Sequence, residues 1–262
     1  MKNLSSKLFL PVLFLCVLSC ANNPSKKEGQ GSQVEFITFN SKILYGEGQP
    51  GLNFNFVLPD IAENGELKTL LWDLFYEGQS PQLYSEKTMQ EYTEQYRKLK
   101  EEIANWEYSE TFNWEYSETF NMAHSGPRFL EFMRDREYFT GGAHGMREIA
   151  WFVIDTETNK RLLPRDLIPE KHRERFELSM ENALRARADI APGGELTSGV
   201  YFEDKIEIPG NFYFSAKGIN FCWDPYEIAP YSEGPIQVLL KRGEISGYLN
   251  DLGKALAKEA EF

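Results

Sequence analysis

The sequence predicts an α+β fold, antiparallel sheets with a few amphipathic helices packed on them, and three observations carry that prediction. Runs of β-branched and aromatic residues near the start of the ordered part, and again in the last third, alternate apolar with polar positions as half-buried strands do. Two separated stretches instead place apolar residues three and four apart, the period of one helix face. Aromatic residues make up 14% of the 262 positions, enough bulk to pack a core around both kinds of element.

The chain opens with Lys2 and Lys7 ahead of an apolar run at 8–18. That run is about a dozen residues, short of the roughly 20 a membrane-spanning helix needs, so it reads as a secretory leader. Val17-Leu18-Ser19-Cys20 resembles a bacterial lipobox, which makes 1–19 the expected signal peptide and Cys20 the acylated anchor of a membrane-bound lipoprotein. Cys16 follows bulky Leu15 and is the poorer acceptor. Residues 20–33, polar and rich in Gly, Ser and Asn, are expected to form a flexible tether. Cys222 is then the one thiol left, so no intrachain disulfide is expected. Loss of the leader removes only Lys2 and Lys7 among charged side chains, and 26 basic residues then face 40 acidic ones, a balance of −14. That balance argues against nucleic acid and against docking on anionic lipid; it suits a basic partner, or simply solubility outside the cell.

Order is expected from Val34. Residues 34–39 (VEFITF) and 52–57 (LNFNFV) predict an antiparallel pair, with a loop at 46–51 between them. Residues 67–75 (LKTLLWDLF) are apolar on more than one side, as in a well-buried helix. Ser80-Pro81 offers an N-cap followed by proline at the first helical position. After it Met89, Tyr92, Tyr96, Leu99 and Ile103 draw one stripe, a core face, with Glu94 and Lys98 paired on the wet side.

NWEYSETF then occurs twice in succession, at 105–112 and 113–120. Eight is even and strands alternate with period two, so Trp106, Tyr108 and Phe112 face the same way as Trp114, Tyr116 and Phe120. One straight strand through both copies would run about 53 Å, so a bend, bulge or hairpin is expected near Asn113. The repeat is expected to be a tolerated insertion at a sheet edge, with an aromatic binding ribbon as the functional alternative.

Residues 129–138 and 147–154 read as strands around Gly141-Gly142-Ala143-His144-Gly145, whose glycines mark positive φ or close backbone approach. A second amphipathic helix is expected at 170–187, with Phe176, Met180, Ala183 and Leu184 on one side. The last third predicts strands at 206–208, 211–215, 219–223 and 236–240 and a short polar helix after Glu244. The expected division is an N-terminal α+β unit at 34–130 and a second unit at 131–262.

The chemistry of the chain is sparse. His124, His144 and His172 lie at least 20 residues apart, which excludes an HExxH zinc helix. The sequence has no GxSxG elbow and no phosphate-binding loop of the Walker type. Cys222, between Phe221 and Trp223, reads as a buried inert thiol. Among 40 acidic residues no two single themselves out as a catalytic pair. The chain is therefore expected to be no enzyme and to need no cofactor or metal.

Two segments carry a family resemblance. Tyr138-Phe139-Thr140-Gly141-Gly142-Ala143-His144-Gly145 and Asp224-Pro225-Tyr226-Glu227-Ile228-Ala229-Pro230-Tyr231-Ser232-Glu233-Gly234-Pro235, with Asn211-Phe212-Tyr213-Phe214 between them, resemble the RsiV-type extracellular domain. The resemblance covers about 138–248, and 34–120 resembles more weakly the companion N-terminal domain. Known members include the sensory part of a lysozyme-binding anti-sigma factor and an accessory region of a peptidoglycan deacetylase. The resemblance implies an envelope binding module facing the periplasm or the exterior, with a lysozyme-like protein or a peptidoglycan-type glycan as its ligand. It points to His144, Tyr226 and Tyr231 as ligand-contacting residues. The sigma-binding segment of one relative and the catalytic domain of the other have no counterpart here, so neither activity is carried over. A carbohydrate-active enzyme with unidentified carboxylates and a purely structural lipoprotein are the alternatives.

Overall fold

The computed structural model describes residues 34–45, 51–62, 65–103 and 113–261. β1 (Val34–Leu44) and β2 (Gly51–Ile61) form the expected antiparallel pair. α1 (Glu66–Tyr76) and α2 (Pro81–Ile103) then lead to β3 (Trp114–Ser125), which lies parallel to β2. Parallel neighbours need a crossover of this kind, so the sheet is mixed where an antiparallel one was expected. β4 (Phe129–Phe139), β5 (Met146–Asp155) and β6 (Lys160–Leu162) complete it with antiparallel pairings, in the order β1-β2-β3-β4-β5-β6. Position 130 is the second residue of β4, so this ladder runs through the expected division.

Period-two alternation sorts the side chains between two faces. Phe54 and Phe56 of β2, Tyr116 and Phe120 of β3, Phe132 of β4 and Phe152 of β5 enter one core with Leu71 and Phe75 of α1 and Tyr96 of α2. The Phe75 ring lies 4.7, 5.5 and 4.9 Å from Phe120, Phe132 and Phe152. Burying a side chain of that size contributes about 1.5–3 kcal/mol. Ser80 caps α2, its Oγ accepting from Leu83 N at 3.2 Å. Of the predicted stripe, Tyr96 is buried, and Met89, Tyr92 and Leu99 pack half-buried against the same core.

The second NWEYSETF copy opens β3, the third strand of six, with Trp114, Tyr116 and Phe120 buried. That copy is interior, which corrects the expected edge insertion. The first copy, Cys20, the leader and the tether lie outside the described residues.

The helix-free face is divided. Its part at 129–133 and 151–155 is covered by a C-terminal layer. There β7 (Phe212–Ser215), β8 (Gly218–Trp223) and β9 (Ile236–Lys241) form an antiparallel sheet. Short α3 (Pro164–Leu167), α4 (Arg173–Arg187), short α5 (Arg242–Ile245) and α6 (Asp251–Glu259) pack around it. Phe129 and Val153 enter this second core with Phe176, Met180 and Leu184 of α4 and Trp223 of β8. Residues 206–208 form no strand; Ile206 is buried in this core, so its apolar pattern reflects packing and not pairing. The helix expected from 170 begins as a 3-10 turn and becomes α-helical at Arg173. Burial pushes the Cys222 thiol up to about 12, with Asp224 and Glu227 adding to it. Glu131, 3% exposed, faces the same layer and accepts from Phe214 N at 2.8 Å. Burial raises its pKa to about 7, against the opposing effect of that hydrogen bond.

Candidate functional site

The C-terminal layer is fixed to β5 by two side chains. β6 pairs only with 153–155 of β5, which leaves the earlier edge to be satisfied otherwise. Asn211 Oδ1 accepts from Trp151 N at 2.8 Å while its Nδ2 donates to Ile149 O at 2.7 Å, reproducing a strand's donor and acceptor. Asp224 Oδ1 accepts from Ile149 N at 2.9 Å.

Asp224 also opens the proline-rich segment. Its N–H donates to Glu227 Oε2 at 2.9 Å, and Glu227 N donates back to Asp224 O at 3.1 Å, closing a tight turn. Burial raises the pKa of both carboxyls. Tyr226 sits in this turn at φ 70°, a left-handed conformation that costs a bulky residue about 1–3 kcal/mol, and its ring is 55% exposed. Pro230 then leads into a 3-10 turn that begins at Tyr231.

Against this segment lies the loop between β4 and β5. Gly141 and Gly142 take φ of 92° and 96°, which only glycine adopts freely. Gly145 O accepts from Tyr231 Oη at 2.8 Å and from exposed His144 Nδ1 at 3.0 Å. The His144 and Tyr231 rings stack at 4.0 Å and 17°, and Tyr226 leans on Tyr231 at 5.5 Å. The three candidate residues named from the sequence therefore form one aromatic cluster.

Tyr231 walls a cleft of about 490 Å³ on the open part of the helix-free face. Asn53 and Asn55 of β2, Glu115 and Ser117 of β3, Glu137 of β4 and Arg147 of β5 line its floor. Asn55 Nδ2 donates to Ser117 Oγ at 3.0 Å. The Arg147 guanidinium meets Asp135 at 2.6 Å and Glu137 at 3.1 Å, which raises its pKa, chiefly through the Asp135 hydrogen bond. Flat rings beside amide, carboxylate and guanidinium groups offer both a stacking surface and convergent hydrogen bonds. Sequence reasoning missed these floor residues. They come from four strands with no shared motif, and their only signal is the polar half of each strand's alternation. Among the described residues, no group of three or more His, Cys, Asp or Glu is placed to hold a metal ion, and no helix is long and apolar enough to cross a membrane.

Two crystal structures define the class of fold. A member of the DUF3298 family from Bacteroides fragilis matches with a TM-score of 0.73 at 19% identity, covering 89% of this chain and 99% of its own. A DUF3298 family protein from Pseudomonas aeruginosa matches with a TM-score of 0.59 at 15% identity, covering 84% and 95%. Within this chain, residues 165–243 match the family described as "Protein of unknown function (DUF3298)". That stretch includes Tyr226 and Tyr231 and most of the C-terminal layer, and excludes His144. No curated protein matches the sequence.

Proposed function

We propose that this chain is a lipid-anchored cell-envelope protein of RsiV type that captures a peptidoglycan-type glycan without turning it over. The observation that carries the reading is the packing of His144 and Tyr226 on Tyr231, whose ring walls an open cleft with polar groups on its floor. Sugar rings present flat C–H faces to aromatic side chains and hydroxyls to amides and carboxylates, and the cleft offers both. The strained, half-exposed Tyr226 supports the reading, because backbone strain of this kind clusters at binding sites. Glu137 is tied to Arg147 in a solvated ion pair, which favours a binding role over that of a catalytic acid. Cys20 supplies the anchor in this scheme, and Cys20→Ser should release the protein from membranes and abolish lipid labelling.

One observation favours a second ligand. The balance of −14 after leader removal would steer a cationic lysozyme-like protein to the surface. Co-sedimentation of the full-length protein with purified peptidoglycan, and pull-down with lysozyme at low and high salt, separates the two. Retention on peptidoglycan that is lost in Tyr226→Ala and His144→Ala, with unchanged circular dichroism, supports the glycan. Salt-sensitive lysozyme capture without glycan retention selects the second reading. Release of soluble sugar would replace binding with catalysis, and silence in every arm would leave a structural lipoprotein.

A further inference from the structure

The register of the sheet turns the cleft floor into a lane. Asn40 pairs with Asn55, Asn55 with Ser117, Ser117 with Glu137, and Glu137 with Arg147. Directly opposed residues share a face, so these five polar side chains stand in one row across five strands, all on the helix-free side. At about 4.8 Å per strand the row is about 19 Å long. Lys42, Asn53 and Glu115 form a parallel row beside it. The His144–Tyr231 stack stands at the Arg147 end.

The chemistry of the lane selects its occupant. Lys42 and Arg147 face Glu115, Glu137 and Asp135, so the lane carries no cationic excess and does not favour a polyanion, which would need a cationic track. An extended peptide docks by adding to a strand edge through its backbone, whereas this row lies on the face of a sheet and crosses the strands. Its planar amide, carboxylate and guanidinium groups each pair with hydroxyls or acetamido groups placed at intervals along a polymer.

We propose that this lane binds a linear, neutral, N-acetylated glycan laid across β1 to β5, with one sugar ring against the Tyr226–Tyr231 cluster and further rings over Ser117, Asn55 and Asn40. This inference rests on the glycan reading of the cleft and adds its direction, its length and its far subsite.

Titration calorimetry of the full-length protein with β-1,4-linked N-acetylglucosamine oligomers of increasing length, from disaccharide to hexasaccharide, tests it. Affinity should rise with length until the row is filled. Asn40→Ala, at the exposed far end, should leave disaccharide affinity unchanged and weaken the longest oligomer. Asn55→Ala should weaken the longer oligomers by about tenfold, the loss expected for a hydrogen-bonding group at a contact. Tyr226→Ala should weaken every length alike. Equal affinity at all lengths, or Asn40→Ala and Asn55→Ala variants that fold normally and bind like wild type, would overturn the lane while an aromatic-dependent site survives. Absence of binding at any length would overturn the lane and the glycan reading together.

Discussion

The two faces of the six-stranded sheet are built from the same strands and treat polar groups in opposite ways. Glu118, on the helical face of β3, is fully buried, and its carboxylate accepts from Tyr84 Oη at 2.8 Å, Tyr116 Oη at 2.6 Å and Arg136 Nη2 at 3.2 Å. Burial, followed by the Glu118 charge, pushes the Tyr84 hydroxyl up to about 12, so it stays a donor. Glu115, three positions earlier in the same strand and the same repeat unit, is exposed at the cleft floor. The difference teaches what each face is for. On the covered side a polar group must find its partners inside the fold, and doing so pins α2 to the sheet through Tyr84. On the open side its hydrogen bonds remain available to a ligand.

Breaking the covered network should have the largest effect. Glu118→Leu leaves Arg136 with Glu148, at 3.3 Å, as its remaining carboxylate and two buried tyrosines without an acceptor, a loss of about 3–5 kcal/mol. Thermal unfolding should fall by roughly 10 °C. A change below a couple of degrees would mean that water already reaches the network.

Glu131 sharpens the contrast on the partly covered face. Its folded pKa of about 7 exceeds the ordinary 4.5, so the folded state holds a proton that the unfolded state releases. The stability this confers is complete below about pH 4.5 and is lost as pH rises through 7, about 3 kcal/mol in all. Glu131→Gln keeps an acceptor for Phe214 N without the charge. Denaturant titrations across this range should show a flatter pH dependence and higher stability at pH 8 than wild type. An unchanged pH profile would place the titration elsewhere.

Removing one NWEYSETF copy should cost less. Deleting 105–112 or 113–120 produces the same sequence, and the surviving copy can supply every side chain that β3 needs. Circular dichroism should retain the native spectrum with melting lowered by a few degrees; loss of folding would show that both copies are integral. The smallest effect belongs to Glu115→Ala, which should stay within about 0.5 kcal/mol of wild type. If it destabilised as Glu118→Leu does, the two faces would not differ as described.

Much of this architecture was legible in the residues. Alternating or β-rich runs located β1, β2, β4, β5, β8 and β9, and Ser80-Pro81 located the start of α2 to the residue. The sheet position of the repeat was not legible, because alternation reports facing and says nothing about which strands lie alongside. The same limit produced the strand expected at 206–208, where apolar spacing comes from burial in a loop. At the site, the glycine turn stood out because clustered glycines are locally conspicuous, whereas His144, Tyr226 and Tyr231 were named through the family resemblance. Asn55, Ser117, Glu137 and Arg147 did not, since their relation exists only once the strands are in register.

Glu259 of α6 has a consequence for the order in which the molecule assembles. Its carboxylate accepts from Arg128 N at 3.2 Å and Phe129 N at 3.3 Å, with His124 Nε2 also at 3.2 Å. Gly126 leaves it room, since an added Cβ would fall 1.9 Å from Glu259 Oε1. The turn between β3 and β4 is thus sealed by a residue 130 to 135 positions further along the chain. The β1–β2 hairpin closes from neighbouring pieces of chain, whereas this one reaches its final form only when α6 docks. The last helix acts as a latch, and a protease that loosens it would first fray the bend at 124–129, on the far side of the sequence from its cut.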